Sequence, residues 1–285
     1  TGWLKVHYTA EFFCANMTVE MDDTDKLKLL LDDAGQSGIG FEPPDVNRGV
    51  WRFEPVDERT VRYGLGAIKG TGQAAIEAIV SAREGSAAHE GRGGAPFRSL
   101  FDFCARVDRQ RINKRVVEAL VKAGAFDKLH ADRAGGAAPS QGAGAADADA
   151  ASGARAQLLA SVGLALDWAD AQAAHADQAG LFDSGDSHAA STHEPALAAA
   201  APWDVKQRLG HEKAALGFYL SGHLFEHSQA EVRQFCRTRI ADLADAREPQ
   251  LLAGIAGELR VVNGQRGRVM ILELDDGSGV IEAVV

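Results

Sequence analysis

A mostly α, multi-domain chain that ends in the first strands of a β-barrel is the fold class the sequence predicts, and three observations predict it. Apolar residues recur at helical spacing in the first 133 positions and again after Pro202. Glycine turns interrupt that spacing and fold the helices into hairpins. From Leu251 the spacing changes to two, with Asn263-Gly264 and Asp275-Asp276-Gly277 as turn signals, so the tail reads as strands.

Residues 1–57 read as helices and turns. A helical run from Tyr8 to Met21 is followed by one from Asp23 to Ser37 with Leu27, Leu30 and Leu31 on one face. Gly35, Gly38 and Gly40 break the pattern, and Pro43-Pro44-Asp45-Val46-Asn47 forms a stiff connector. Phe53 and Val61 flank a short strand or hairpin. Residues 58–133 hold two helical hairpins. Residues 134–157 are almost entirely Ala, Gly, Ser and Asp and are expected to be disordered, since they bury too little apolar surface to offset chain entropy. Leu158 to Ala174 can form a helix, and 183–201 is again low in complexity, so 134–201 reads as one flexible linker. Residues 202–249 are a helical connector whose first helix runs to Gly222, and 250–285 begin the barrel. The chain opens on Thr1 and stops inside the alternating run Val280 to Val285, so a larger parent protein is expected.

The hydrophobic fraction of 46% over 285 residues suffices for two or three small cores. No apolar run reaches the ~20 residues of a membrane helix, and no signal peptide is legible. A cytoplasmic protein without a membrane partner is expected. Cys14, Cys104 and Cys236 are far apart and read as free thiols. The net charge of −10 argues against a polyanion partner, but its distribution argues for one. Between Arg59 and Arg133, 14 Lys and Arg stand against 8 Asp and Glu, leaving −16 for the remainder.

The basic stretch contains the most informative motif. Gly64-Leu65-Gly66-Ala67-Ile68-Lys69-Gly70-Thr71-Gly72-Gln73 predicts a short helix ending at Ile68-Lys69, a tight turn, and a second helix from Gln73 to about Arg83. A glycine turn opening a helix leaves backbone N–H groups unpaired, and the helix dipole adds partial positive charge. Lys69, Gly70, Thr71, Gly72 and Gln73 thus form a candidate phosphate site without base readout. Arg109, Arg111, Lys114 and Arg115 concentrate charge just before a helix from Val116 to Ala123, which Gly124 caps. Two such turns back to back would hold a duplex backbone across a groove. The first resembles the helix-hairpin-helix motif of DNA repair and replication proteins.

Longer segments carry a more specific resemblance. Leu4-Lys5-Val6-His7-Tyr8, Glu20-Met21-Asp22-Asp23-Thr24-Asp25-Lys26, Pro43-Pro44-Asp45-Val46-Asn47 and Tyr63-Gly64-Leu65-Gly66-Ala67-Ile68-Lys69-Gly70 resemble the bacterial C-family replicative polymerases, the DNA polymerase III alpha subunits. So do Ser99-Leu100-Phe101-Asp102-Phe103-Cys104, Leu120-Val121-Lys122-Ala123-Gly124-Ala125-Phe126-Asp127 and Glu212-Lys213-Ala214-Ala215-Leu216-Gly217-Phe218-Tyr219-Leu220-Ser221-Gly222-His223. Leu224 stands where that family usually has proline. The resemblance implies the end of a fingers domain in 1–57, a tandem helix-hairpin-helix module in 58–133, and the start of an OB fold from 250. It implies primer–template DNA as a partner, and other replicase subunits through regions outside this chain. The catalytic residues, with their Mg2+, would lie in a palm domain outside this chain, so no catalytic residue and no cofactor are expected here.

Gln178-Ala179-Gly180-Leu181-Phe182 resembles the pentapeptide by which bacterial proteins bind the sliding clamp. Gln178 would bond in a polar notch, and Leu181 and Phe182 would fill an apolar pocket. The strands after Leu251 contain no aromatic residue, so stacking on single-stranded DNA lacks a platform there. Asp147 and Asp149 mimic a metal-binding carboxylate pair, but they lie in the Ala/Gly run with nothing rigid to support them. Two other readings share these features: an error-prone paralogue of the same family, and a non-catalytic repair scaffold.

Overall fold

Ala10, Phe13, Cys14 and Met17 recur at helical spacing, and all four are buried on one side of helix α2 (Thr9–Val19). The computed structural model describes residues 2–85, 94–134, 145–179, 193–264 and 267–284. The chain divides into two units, Thr1–Leu220 and Ser221–Val285.

In the first unit, α1 (Gly2–His7) precedes α2 and buries none of its residues. Helix α3 (Thr24–Gln36) starts at Asp23, whose carboxylate accepts the Lys26 N–H at 3.2 Å, and turns Leu27, Leu31 and Ala34 inward. Strands β1 (Gly40–Glu42), β2 (Glu54–Asp57) and β3 (Thr60–Arg62) form a sheet in the order β1-β3-β2. β1 runs parallel to β3, with Phe41 opposite Val61, and β2 runs antiparallel to it. The expected boundary between 57 and 58 therefore falls inside one hairpin. Inner residues Phe41, Phe53, Val61 and Tyr63 join a single core that extends from Ala10 to Phe218.

Helix α4 (Gln73–Glu84) turns Ala75, Ile76, Ile79 and Arg83 inward. The Arg83 guanidinium donates to the carbonyls of Val46 (3.2 Å) and Gly49 (2.9 Å), which fastens the connector after Pro44. Helix α5 (Leu100–Arg106) is capped by Ser99, whose hydroxyl accepts the Asp102 N–H at 2.9 Å. Helices α6 (Lys114–Lys122) and α7 (Asp127–Ala134) meet at Gly124, at φ +81°.

The largest departure from expectation is α8 (Ala145–Ala179), a helix of 35 residues. It covers the stretch 145–157 expected to be disordered. Alanine is the best helix former, and small residues let α8 lie close against α5, α6 and α7. Ala156, Leu158, Val162, Ala165, Leu166 and Ala169 are buried there, and Trp168 meets Phe101 edge-on at 5.7 Å. Composition also conceals an ion pair. Arg155 donates to Asp127 from Nε (2.9 and 3.0 Å) and from Nη2 (2.5 Å), with both side chains buried. Gly124 makes room for it, since a Cβ there would run into the Arg155 guanidinium.

The flexible-linker reading also fails over 193–200. That segment is fixed by Ser99, which donates to Glu194 at 2.7 Å, and by the Ser161 hydroxyl, which accepts the Ala198 N–H at 2.8 Å. Helix α9 (Val205–Leu216) opens with a reciprocal capping pair, Asp204 and Gln207. It ends earlier than expected, at left-handed Gly217 (φ +94°) rather than at Gly222. It belongs to the first unit, packed on α6, and not to a separate connector.

In the second unit, α10 (Leu224–Val232) follows His223, whose Nδ1 accepts the Phe225 N–H at 3.1 Å. Leu224 takes the first helical position, one that proline also suits, so the replacement preserves the start. β4 (Ile255–Gly264), β5 (Gly267–Asp275) and β6 (Val280–Val284) form an antiparallel meander. Asn263 and Gly264, expected in the turn, are paired strand residues opposite Arg268 and Gly267. The Asp275–Gly277 turn is as expected, with Gly277 at φ +76°. Asp276 organises it by accepting from the Ser278 N–H and hydroxyl, Arg233 and the Ile240 N–H. Burial alone would raise the Asp276 carboxyl, but these donors outweigh it and hold the group well below the usual carboxylate range.

Two outcomes follow for stability. Arg155→Leu strands the Asp127 carboxylate and should cost the first unit about 3–5 kcal/mol, with Asp127→Leu in the same chain restoring part. Denaturant titration checks this, and an unmoved midpoint would mean that the pair contributes nothing. Asp276 has a depressed pKa, so its contribution is complete above about pH 4 and disappears as acid drives the pH down toward the folded-state value. Asp276→Asn should destabilise the second unit at neutral pH and flatten its response between about pH 4 and 2, measured by hydrogen exchange at the β6 amides.

Candidate nucleic-acid interface

The first hairpin is built by a 3-10 turn over Leu65–Ala67 and the loop from Ile68 to Gly72. Gly70 adopts φ +87°, which only glycine takes without strain. Gly72 opens α4 in an ordinary extended conformation, and a Cβ at either glycine would meet no atom within 4 Å. Neither internal packing nor strain requires glycine at 72. What the missing side chain provides is open access to the backbone from outside.

The start of α4 has no side-chain cap. The Gly72 carbonyl accepts from the Ala75 and Ile76 N–H groups at 3.0 and 3.2 Å, while no backbone carbonyl among the described residues takes the N–H of Gly72, Gln73 or Ala74. These three residues are exposed. The Gln73 side chain turns along its own helix to Glu77 at 2.9 Å. Lys69 is exposed, its N–H donates to the Ala215 carbonyl at 2.7 Å, and its ammonium lies beside Gly217 at the carbonyl end of α9.

Thr71 departs from expectation. Its side chain is buried, its hydroxyl lies 2.7 and 2.9 Å from the Ile68 and Leu65 carbonyls, and its N–H donates to Ile68. Both of its donor groups close the turn from inside, so Thr71 shapes the site without facing a ligand.

The second hairpin follows the same plan. The Asp108 carbonyl accepts from the Arg111 and Ile112 N–H groups, and buried Ile112 anchors the turn. Asn113 caps α6 by accepting the Val116 N–H at 3.0 Å. Arg111, Lys114 and Arg115 are exposed. Lys114 and Arg115 occupy the first turn of α6, which holds no acidic residue. Cations at a helix N-terminus oppose its dipole at about 0.3–1 kcal/mol each, so their presence marks a place where an anion would be welcome. Arg111 lies 4.0 Å from Asp108 and Lys114 3.9 Å from Glu118, both loose surface pairs worth little. Arg115 makes no ion pair among the described residues. Arg109 differs. It is half-buried, and its fork is taken by Asp170 of α8, with Nε to Oδ1 at 2.8 Å and Nη2 to Oδ2 at 3.2 Å. That contact lowers the Asp170 carboxyl.

Sequence reasoning missed Asp127, Arg155, Arg83 and Asp170. An isolated arginine in an Ala/Gly run was the one available signal for Arg155. Among the described residues no three His, Cys, Asp or Glu gather to hold a metal, and no helix is long and apolar enough to cross a membrane. Burial pushes the Cys14 and Cys104 thiols up to about 12, so neither is a nucleophile at neutral pH. Asp147 and Asp149 lie in the first turns of α8. Gln178 falls in its last turn, and Gly180, Leu181 and Phe182 lie outside the described residues.

Comparison with known proteins agrees with this geometry. A helix-hairpin-helix motif profile matches residues 38–135, which include the β1-β3-β2 sheet as well as both hairpins. The DNA polymerase III subunit alpha of Neisseria meningitidis serogroup B is 40% identical over 286 residues, covering 100% of this chain and 22% of that protein. The same subunit of Pseudomonas aeruginosa is 38% identical over 290 residues, covering 99% of this chain and 23% of that protein. That of Escherichia coli K12 is 36% identical over 291 residues, covering 100% and 22%. The chain thus spans less than a quarter of the length of these relatives, and across that span its whole length is similar to DNA polymerase III alpha subunits at 36–40% identity.

Proposed function

We propose that this chain is the duplex-holding and clamp-tethering portion of a replicative DNA polymerase that extends primers on a template. Two uncapped or lightly capped helix starts carry the reading. At α4 and α6, unpaired N–H groups stand exposed beside Lys69, Lys114 and Arg115, and the glycine turn before α4 leaves its backbone open. Such groups bind phosphate oxygens and read no bases, which suits a polymerase that must hold any sequence. The relatives' name supplies the polymerase reading. Palm chemistry and its Mg2+ would belong to other parts of such a protein.

The clamp partner rests on the sequence pattern of Gln178, in the last turn of α8, with Leu181 and Phe182. The barrel reading rests on the β4-β5-β6 meander, taken as the start of an OB fold. Strands β4 and β6 leave Leu259, Val261 and Val284 more than half exposed, as strands awaiting further barrel partners would.

Two measurements test the proposal. Lys69→Glu, Lys114→Glu and Arg115→Glu together should weaken duplex binding by the full chain at least about tenfold, equally for unrelated sequences. The salt dependence should flatten by about 0.9 logarithmic units for each phosphate that the variant no longer neutralises. Unchanged binding rejects the hairpin reading. Leu181→Ala with Phe182→Ala should abolish clamp binding and leave duplex binding intact, and an unmoved clamp affinity rejects that partner.

A further inference from the structure

Arg109 stands in the most basic turn of the chain, yet its binding edge is occupied. The Nε and Nη2 donors form the two-pronged face with which arginine takes a carboxylate or a phosphate, and both point at Asp170. Asp170 is held in place by its helix. Its neighbour Ala169 is buried, Leu166 is buried one turn earlier, and Trp168 packs on Phe101 of α5. The carboxylate therefore stands at a fixed point over the second hairpin. Asp167, one turn back on α8, adds its field to Arg109 without bonding to it. The pair is open to water, with side-chain exposures of 34% and 58%. An open pair of this kind is weak enough to exchange.

We infer that Asp170 is an intramolecular stand-in for a DNA phosphate, an autoinhibitory contact that Arg109 must release before the second hairpin can grip a duplex. This rests on the duplex-binding reading of the two hairpins. A single phosphate gains little by displacing Asp170, because one anion replaces another on the same fork. A duplex seated on both hairpins also engages the α4 and α6 starts, Lys69, Lys114 and Arg115, and only this combined grip frees Arg109. The ion pair thus selects against small anions and short strands in favour of an extended backbone. It also links the second hairpin to α8, the helix in whose last turn Gln178 lies.

The test is duplex binding by the full 285-residue chain carrying Asp170→Asn, Asp167→Asn, Arg109→Gln, and Asp170→Asn with Arg109→Gln. The inference expects Asp170→Asn to tighten binding about two- to fivefold, the range an exposed ion pair allows. It should also steepen the salt dependence by the equivalent of about one further neutralised phosphate. Asp167→Asn should tighten binding less, and the Asp170 effect should vanish when Arg109 is Gln. Equal gains from Asp167→Asn and Asp170→Asn would overturn the inference in favour of a general field effect. Weaker binding by Asp170→Asn would overturn it too, by making Asp170 a residue that aims Arg109 at DNA. If charge reversal at Lys69, Lys114 and Arg115 leaves duplex binding unmoved, the hairpin reading itself fails. If that reversal weakens binding while Asp170→Asn changes nothing, only the inference fails.

Discussion

The buried pair between Asp127 and Arg155 is the interaction on which the arrangement of the first unit turns. Asp127 opens α7 immediately behind the second hairpin, and Arg155 comes from the first third of α8. Their bond fixes where α8 lands and so determines that its apolar side meets α5 and α6. Removing a charge pair from water is costly, and a pair of apolar side chains could give comparable stability. What charges add is selectivity of docking. A helix dominated by alanine has few bulky side chains to set its axial position, and a two-pronged arginine bond sets it within a fraction of a turn. Gly124 is part of the same device, because its left-handed backbone lets the guanidinium lie against the bend.

Positions governed by local chemistry are legible in the sequence. The Gly70 and Gly124 turns, the α4 helix after Gly72, the Asp275–Gly277 turn and the change to alternating strands all follow from conformational preferences of single residues or from short periodicities. What escapes is non-local. Nothing near Gly40 announces that β1 will lie parallel to β3 across a connector, and the boundary expected between 57 and 58 falls inside one folded body. The Ala-rich start of α8 defeats any reasoning that equates little apolar area with disorder. Helix propensity and one buried ion pair reverse that balance.

The candidate interface shows the same division. Charge and glycine spacing locate both turns, but only the folded chain separates residues that face outward from those that hold the turn. Thr71 belongs to the second group, since its hydroxyl and N–H both close the loop from beneath. Arg109 also changes meaning, because a cation counted as available is already bonded. An overall charge of −10 is compatible with a polyanion-binding face once the charge is resolved in space. The acidic excess lies outside 59–133, and Asp170 of α8 reaches back from it to the second hairpin.

The small β1-β3-β2 sheet has a practical corollary for anyone dissecting this polypeptide. Its central strand, Thr60–Arg62, bonds on one side to Gly40–Glu42 and on the other to Glu54–Asp57. An expression clone started between the second and third strands would discard both neighbours and bare Val61, which is fully enclosed in the intact fold. Independent production of the hairpin body must therefore retain the polypeptide from before Gly40, and the preceding helices lend it part of the interior that any such excision would open to solvent.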